Sequence, residues 1–308
     1  MVKLNELPWL DEAKHIFSRQ LEKKSVSHAQ LLSLEKGYGA KQLLGSLAQL
    51  TFCERPTQFT PCGLCKSCTL VESGNHPDFH QIVPDGNQIK VDQIRELCGD
   101  LTETAQQGGW RIAIIYSCEK LNKSAANALL KTLEEPGKQT LLLLQTESFG
   151  LLMPTITSRC QNILVKKPSK SQINDWLISQ SPEYKGTNWC IPIVGGPLGL
   201  IESISSGHYN KLLNYRNNWS QSLSAGHLCA SFLTVDEQTI VDVLDVLYLV
   251  FRQFILQNKF NDALLQAEVV KLAAEVMHMR QRLSLMSNIN APALCQQFIL
   301  KYRHLVNR

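Results

Sequence analysis

The sequence predicts an α/β domain with a parallel sheet covered by helices on both faces, then a small helical domain and a larger helical C-terminal domain. Three observations predict it. Short unbroken apolar runs, such as Ile112-Ala113-Ile114-Ile115 and Leu141–Leu144, read as strands buried on both faces. Between such runs, apolar residues recur at three and four, the period of an amphipathic helix. Beyond residue 168 no strand pattern is convincing, and helical periodicity carries on to the C-terminus. Strands alternating with helices at this spacing make βαβ units, hence a parallel sheet. A length of 308 residues fits two or three domains at ~100–200 residues each.

The elements follow in order. Residues 1–28 are helical in period, with Trp9, Ile16, Phe17 and Leu21 on one face. Ala29–Leu34 is a first strand, and Ala40–Leu50 an amphipathic helix. A cysteine-rich stretch then interrupts the pattern as an insertion. His76–Val83 resumes it as a second strand, closed by the turn at Asp85-Gly86, and Val91–Thr104 reads as a helix with Ile94, Leu97, Cys98 and Leu101 inward. Gly108-Gly109 precede the third strand, which runs to Tyr116. Asn122 can N-cap a helix that Pro136 must end. Leu141–Leu144 is a fourth strand and Ile163–Val165 a fifth. Lys166–Ser169 reads as a linker. Short helical stretches in 169–206 are broken at Ser181-Pro182 and at Gly195-Gly196-Pro197, and 209–308 is helical in period throughout.

The turn after the first strand reads Glu35-Lys36-Gly37-Tyr38-Gly39-Ala40-Lys41. Strand, glycine-rich turn and helix is the order of a P-loop, G-x-x-x-x-G-K-[ST]. There the backbone N–H groups cradle phosphates, the lysine reaches the terminal phosphates and the hydroxyl holds magnesium. Set on that pattern, Gly37 and Gly39 bracket the turn, Leu34 takes the first glycine, Ala40 the lysine and Lys41 the hydroxyl. After the third strand, where a nucleotidase carries an acidic pair, stand Tyr116 and Ser117. Two such losses point to a nucleotide site without its chemistry. The plainer alternative is that neither segment was ever such a site, since a lone G-x-G is weak evidence.

Four of ten cysteines, Cys53, Cys62, Cys65 and Cys68, follow the spacing C-x8-C-x2-C-x2-C. Four thiolates with closed coordination point to structural Zn2+. A disulfide pair competes, and a reducing cytosol disfavours it. The formal charge is +4; residues 271–308, with six Lys/Arg against one acidic residue, carry +5, and the remainder sums to about −1. That segment is either a nucleic-acid face or an ordinary solvated helix face. No run is apolar enough to span a bilayer, and the N-terminus lacks a signal-peptide apolar core, so a cytoplasmic location is expected.

Asn127–Pro136, NALLKTLEEP, followed by Ser158-Arg159-Cys160, resembles a bacterial clamp-loader subunit of the AAA+ class. The cysteine module and His76-Pro77-Asp78 behind it fit the same family. The resemblance covers the whole chain and is specific over about residues 30–165. Pro8-Trp9-Leu10 and the missing catalytic residues are similar to the family's non-hydrolysing subunit, not to its gamma/tau motor subunits. The resemblance implies an AAA+-like domain over 1–167 with the zinc module at 50–75, a lid domain over 168–208 and a collar domain over 209–308. It implies that Arg159 is an arginine finger entering the ATP site of a neighbouring gamma/tau subunit; the plainer alternative is that Arg159 only pairs with a local carboxylate. It sets Leu198 where motor subunits carry a nucleotide-touching arginine, and the helix at 122–135 near the subunit interface and DNA chamber. The implied partners are the gamma/tau and delta subunits and, through the complex, the sliding clamp and primer-template DNA of DNA polymerase III, a DNA-directed DNA polymerase. Neither bound ATP nor ATPase activity is expected of this chain. Two alternatives are an active motor of the same family, which needs an acidic pair and a loop lysine, and a stand-alone zinc nucleic-acid-binding protein. The second needs basic residues near the cysteines, where only Arg55 and Lys66 stand.

Overall fold

The computed structural model describes residues 6–107, 109–181, 184, 188–257, 262–283 and 289–306. Met1–Ser169 and Lys170–Arg308 are two compact units. Gly108, Pro182 and Arg308 lie outside the described residues.

The first unit opens with a 3-10 turn, Pro8–Leu10, and α1, Asp11–Glu22. Asp11 and Glu12 in the first turn of α1 complement its dipole. The face it buries carries Ala13, Lys14, Phe17 and Ser18. Ile16, expected on that face, is 44% exposed, because it lies about a quarter-turn from the 13/17 row and half a turn from the 14/18 row. β1 (Ala29–Ser33), α2 (Ala40–Phe52) and α3 (Lys66–Glu72) follow, then β2 (Phe79–Ile82) and α4 (Val91–Thr102). α4 stops two residues short of the expected Thr104. β3 (Arg111–Ile115), α5 (Lys123–Glu134), β4 (Thr140–Thr146), α6 (Pro154–Thr157) and β5 (Gln161–Ile163) complete the unit.

The sheet order is β2-β3-β4-β1-β5, and every pairing is parallel. Leu31 of β1 lies between Leu144 of β4 and Asn162 of β5. β3 and β4 are buried at every position, which is why they read as continuous apolar runs. Ala29, Leu31, Ala113, Ile115, Leu142 and Leu144 meet Ile94, Leu97 and Leu101 of α4 and Ala125, Leu129 and Leu133 of α5. The alternate residues Leu32, Ile112, Ile114, Leu141 and Leu143 are equally buried, so the other face is covered as well. Each fully buried Leu or Ile contributes ~1.5–3 kcal/mol.

β5 runs two residues earlier than the apolar run Ile163–Val165 suggests. It is an edge strand, and only Ile163 is buried; Leu164 is 72% exposed. Its first residue is held by a polar pair, Gln30 Nε2 donating to Gln161 Oε1 at 3.2 Å. α5 keeps its expected ends: Asn122 Oδ1 accepts from the Ala125 N–H at 2.8 Å, and the helix stops at Glu134, before Pro136.

The second unit is helical: α7 (Lys170–Gln180), α8 (Ile191–Val194), α9 (Gly196–Ser205), α10 (His208–Ala225), α11 (Ile240–Leu256), α12 (Ala263–Leu283) and α13 (Ala291–Val306). α11 packs on α10 and α12, and α12 on α13. At its core Trp219 is fully buried against Phe232, ring centroids 4.6 Å apart, and its indole N–H donates to the Val243 carbonyl at 2.8 Å. Pairing that N–H is what lets an indole be buried completely.

Candidate functional site

Ligands of open parallel sheets bind beyond the carboxyl ends of the strands. The loops after β1 and β3 meet there. Gly37 and Gly39 have φ of 75° and 95°, and Gly39 caps the start of α2. A Cβ on Gly39 would lie 2.6 Å from Leu7 Cδ1 and 2.8 Å from Leu10 Cδ1, so the N-terminal segment packs directly on the turn. Trp9 reinforces it, its indole N–H donating to the Tyr38 carbonyl at 2.8 Å. Lys167 covers the other side, its Nζ 2.7 Å from Glu35 Oε1 and 5.6 Å from the centre of the Tyr38 ring. Burial raises the Tyr38 hydroxyl above its ordinary range, against the opposing effect of Lys167.

Ala40 supplies no cation. Lys41 is exposed, with its Nζ 5.7 Å from the centre of the Tyr116 ring. Tyr116 is buried, which pushes its hydroxyl up to about 12, so it stays neutral and offers a metal no anionic oxygen. Ser117 holds a left-handed backbone, φ 54° and ψ 52°. Its N–H donates to Gln145 Oε1 at 2.9 Å, while Gln145 Nε2 donates to the Leu34 carbonyl at 3.2 Å. One buried amide thus ties the loop after β1 to the loop after β3. Sequence reasoning missed Gln145; its signal was a polar residue at the carboxyl end of an apolar central strand. Leu198 is half-buried within α9.

Cys53 is the C-cap of α2, Cys62 and Cys65 lie in the following loop, and Cys68 is buried on α3. Their four sulfurs lie within 4.8 Å of one another, and Cys62 Sγ is 4.0 Å from Cys68 Sγ. All four are free thiols. A tetrahedral shell with metal–sulfur bonds of ~2.3 Å sets sulfurs ~3.8 Å apart, so this donor set could hold one metal ion. The backbone N–H groups of Leu64 and Cys65 bring the Cys62 thiol down to about 6, whereas burial raises Cys68. Behind the module Phe52 stacks on His76 at 4.0 Å, and Asp78 accepts from the N–H groups of Gln106 and Gln107 at 2.7 and 2.9 Å.

Arg159 stands in the turn between α6 and β5, partly exposed. It is not free of local partners: its Nη2 lies 2.5 Å from Glu134 Oε1 and its Nη1 donates to the Thr155 carbonyl at 2.9 Å. Three cations of the basic C-terminal segment are paired with carboxylates in place. Lys271 pairs with Glu268, Arg280 with Asp245 and Lys301 with Glu275, and Arg303 donates to the Ser224 carbonyl. That favours an ordinary solvated face. No helix among the described residues is long and apolar enough to cross a membrane.

The family described as DNA polymerase III, delta subunit, matches residues 9–169. The chain is 35% identical to DNA polymerase III subunit delta' of Haemophilus influenzae over 216 residues, 69% of this chain and 66% of that relative's length. It is 29% identical to the Escherichia coli subunit delta' over 330 aligned positions, 96% of this chain and 95% of the relative. In fold it is similar to a DNA polymerase III gamma subunit-related protein from Thermotoga maritima, with a TM-score of 0.54 at 17% identity over 95% of this chain and 99% of that one. An AAA+-like parallel sheet, a thiol cluster between α2 and α3 and this set of relatives agree: the chain belongs to the delta-prime subunit family of the DNA polymerase III clamp loader.

Proposed function

We propose that this chain is a non-hydrolysing clamp-loader subunit that occupies one place in a ring-like pentamer and helps load the sliding clamp onto primed DNA, using ATP bound by its neighbours. One observation carries the reading: the frame of a nucleotide site stands without its chemistry. β1, the glycine turn and α2 keep P-loop order, while Ala40, Tyr116 and Ser117 supply neither the ammonium nor the metal ligands that phosphoryl transfer needs. Lys41 stands one place beyond the lysine position, with its Nζ over the Tyr116 ring.

Arg159 is the arginine finger, offered to a neighbouring gamma/tau site. A planar, always charged guanidinium suits the charge spread over a transferring phosphoryl group. Its ion pair with Glu134 is no obstacle, because a pair this exposed is worth about 0–1 kcal/mol. Cys53, Cys62, Cys65 and Cys68 hold one structural zinc. Residues 1–167 form the AAA+-like domain, 168–208 the lid and 209–308 the collar that joins the gamma/tau and delta subunits.

The reading is tested by reconstituting the complex with wild-type or Arg159→Ala protein and comparing DNA-stimulated ATPase and clamp loading at equal assembly. Fingers supplied in trans are worth roughly 10³–10⁵ in rate in well-characterised GTPases. The bulk loss here is smaller, since other motor sites keep their own fingers. Arg159→Lys fails nearly as badly, because an ammonium lacks the planar fork. Unchanged rates in an intact complex refute the finger role.

A further inference from the structure

We infer that Glu134 is the positioning residue of Arg159, holding its guanidinium ready at the rim of the first unit; the inference rests on the finger role proposed above. Arg159 is carried by a short turn and has a long side chain with many rotamers. Its two terminal nitrogens are bracketed by acceptors from two different helices. Thr155 O, on α6, takes Nη1 at 2.9 Å, and Glu134 Oε1, on α5, takes Nη2 at 2.5 Å. The Glu134 backbone is the last residue of α5, a rigid support. α5 is capped by Asn122 at its start, and at its end Leu133 is 2% exposed while the Leu133 carbonyl lies 2.8 Å from His28 Nε2.

A guanidinium carries five N–H donors. Nη1 donates to the Thr155 carbonyl and, at 3.4 Å, to Ser158 Oγ, and Nη2 spends one N–H on Glu134, so the second N–H of Nη2 and the Nε–H are left for an incoming anion. The Arg159 side chain remains 35% exposed and that of Glu134 50%, so the bracket leaves an open approach. So exposed a pair contributes little to folding. Its effect falls instead on where the arginine points, and a side chain already fixed loses less freedom when it grips a phosphate.

The test is a double-mutant cycle in the reconstituted complex: wild type, Glu134→Ala, Arg159→Ala and the double variant, each at equal assembly, with kcat and KM for ATP read separately. Glu134→Ala lowers the rate at the site that Arg159 serves about 2–5-fold, the rate equivalent of an exposed charge pair, and so lowers the bulk kcat by a smaller factor with KM unchanged. In the Arg159→Ala background the same change is silent, and Glu134→Gln, which keeps an acceptor oxygen, recovers part of the loss. An unchanged kcat in Glu134→Ala, or a loss that multiplies with that of Arg159→Ala, overturns the positioning role while the finger stands. If Arg159→Ala itself leaves the rate unchanged, the finger reading falls and the positioning role falls with it.

Discussion

Gly39→Ala tests whether the N-terminal segment is built onto the glycine turn. Gly39 has φ 95°, where an L-residue costs ~1–2 kcal/mol. The new methyl would also meet Leu7 Cδ1 at 2.6 Å and Leu10 Cδ1 at 2.8 Å. Both leucines are fully buried, so neither can swing into solvent, and overpacking of this kind costs ~1–3 kcal/mol. A stiffer unfolded chain returns ~0.4–1 kcal/mol. The net loss is ~1–5 kcal/mol. Gly86→Ala is the control: φ is 64° and nothing lies within 4 Å of the added Cβ, so it carries the backbone cost alone. Because the chain has two units, the assay must report on the first one only. The urea dependence of amide exchange in β1 and α2 does so. Equal losses in the two variants would show that Leu7 and Leu10 yield freely and that the turn needs glycine only for its backbone angle.

Freshly purified, reduced protein should contain one zinc per chain. Chelation should unfold residues 50–75 before the sheet, as exchange in α3 would show, since structural zinc sites hold their modules by roughly 10–16 kcal/mol of apparent binding energy. Equilibrium dialysis with magnesium-ATP should detect no saturable binding to the isolated chain, and Lys41→Ala should change nothing; micromolar binding abolished by that substitution contradicts the dead-site reading. Asn122→Ala removes the N-cap bond to Ala125 and should cost ~1 kcal/mol in the first unit without altering metal content.

Much of the fold was legible because its signals are local. β3 and β4 are buried on both sides and so spell themselves as apolar runs. The ends of α5 follow from one capping asparagine and one proline. The four cysteines fall within one short stretch, so their spacing alone predicts the cluster. What escaped depends on partners far away in sequence. β5 is fixed by pairing to β1 and by Gln30 with Gln161, not by its own apolarity. Gln145 has meaning only once the loops after β1 and β3 are brought together, and nothing near Arg159 in the sequence announces Glu134. Ile16 was misplaced because periodicity over one short helix does not fix which neighbouring row faces inward.

The sheet order also dictates when the molecule can assemble as it is made. β1 is synthesised first, yet both of its neighbours, β4 and β5, come late; Gln145, which braces the loop after β1, is 111 residues beyond Leu34. At synthesis rates of ~5–20 residues per second, β1 waits roughly 6–22 s for its first partner strand. The cysteines, by contrast, are complete once Cys68 has emerged. The thiol module can therefore close on a metal while the strand before it is still unpaired, and it gives the nascent chain an ordered piece before any sheet exists.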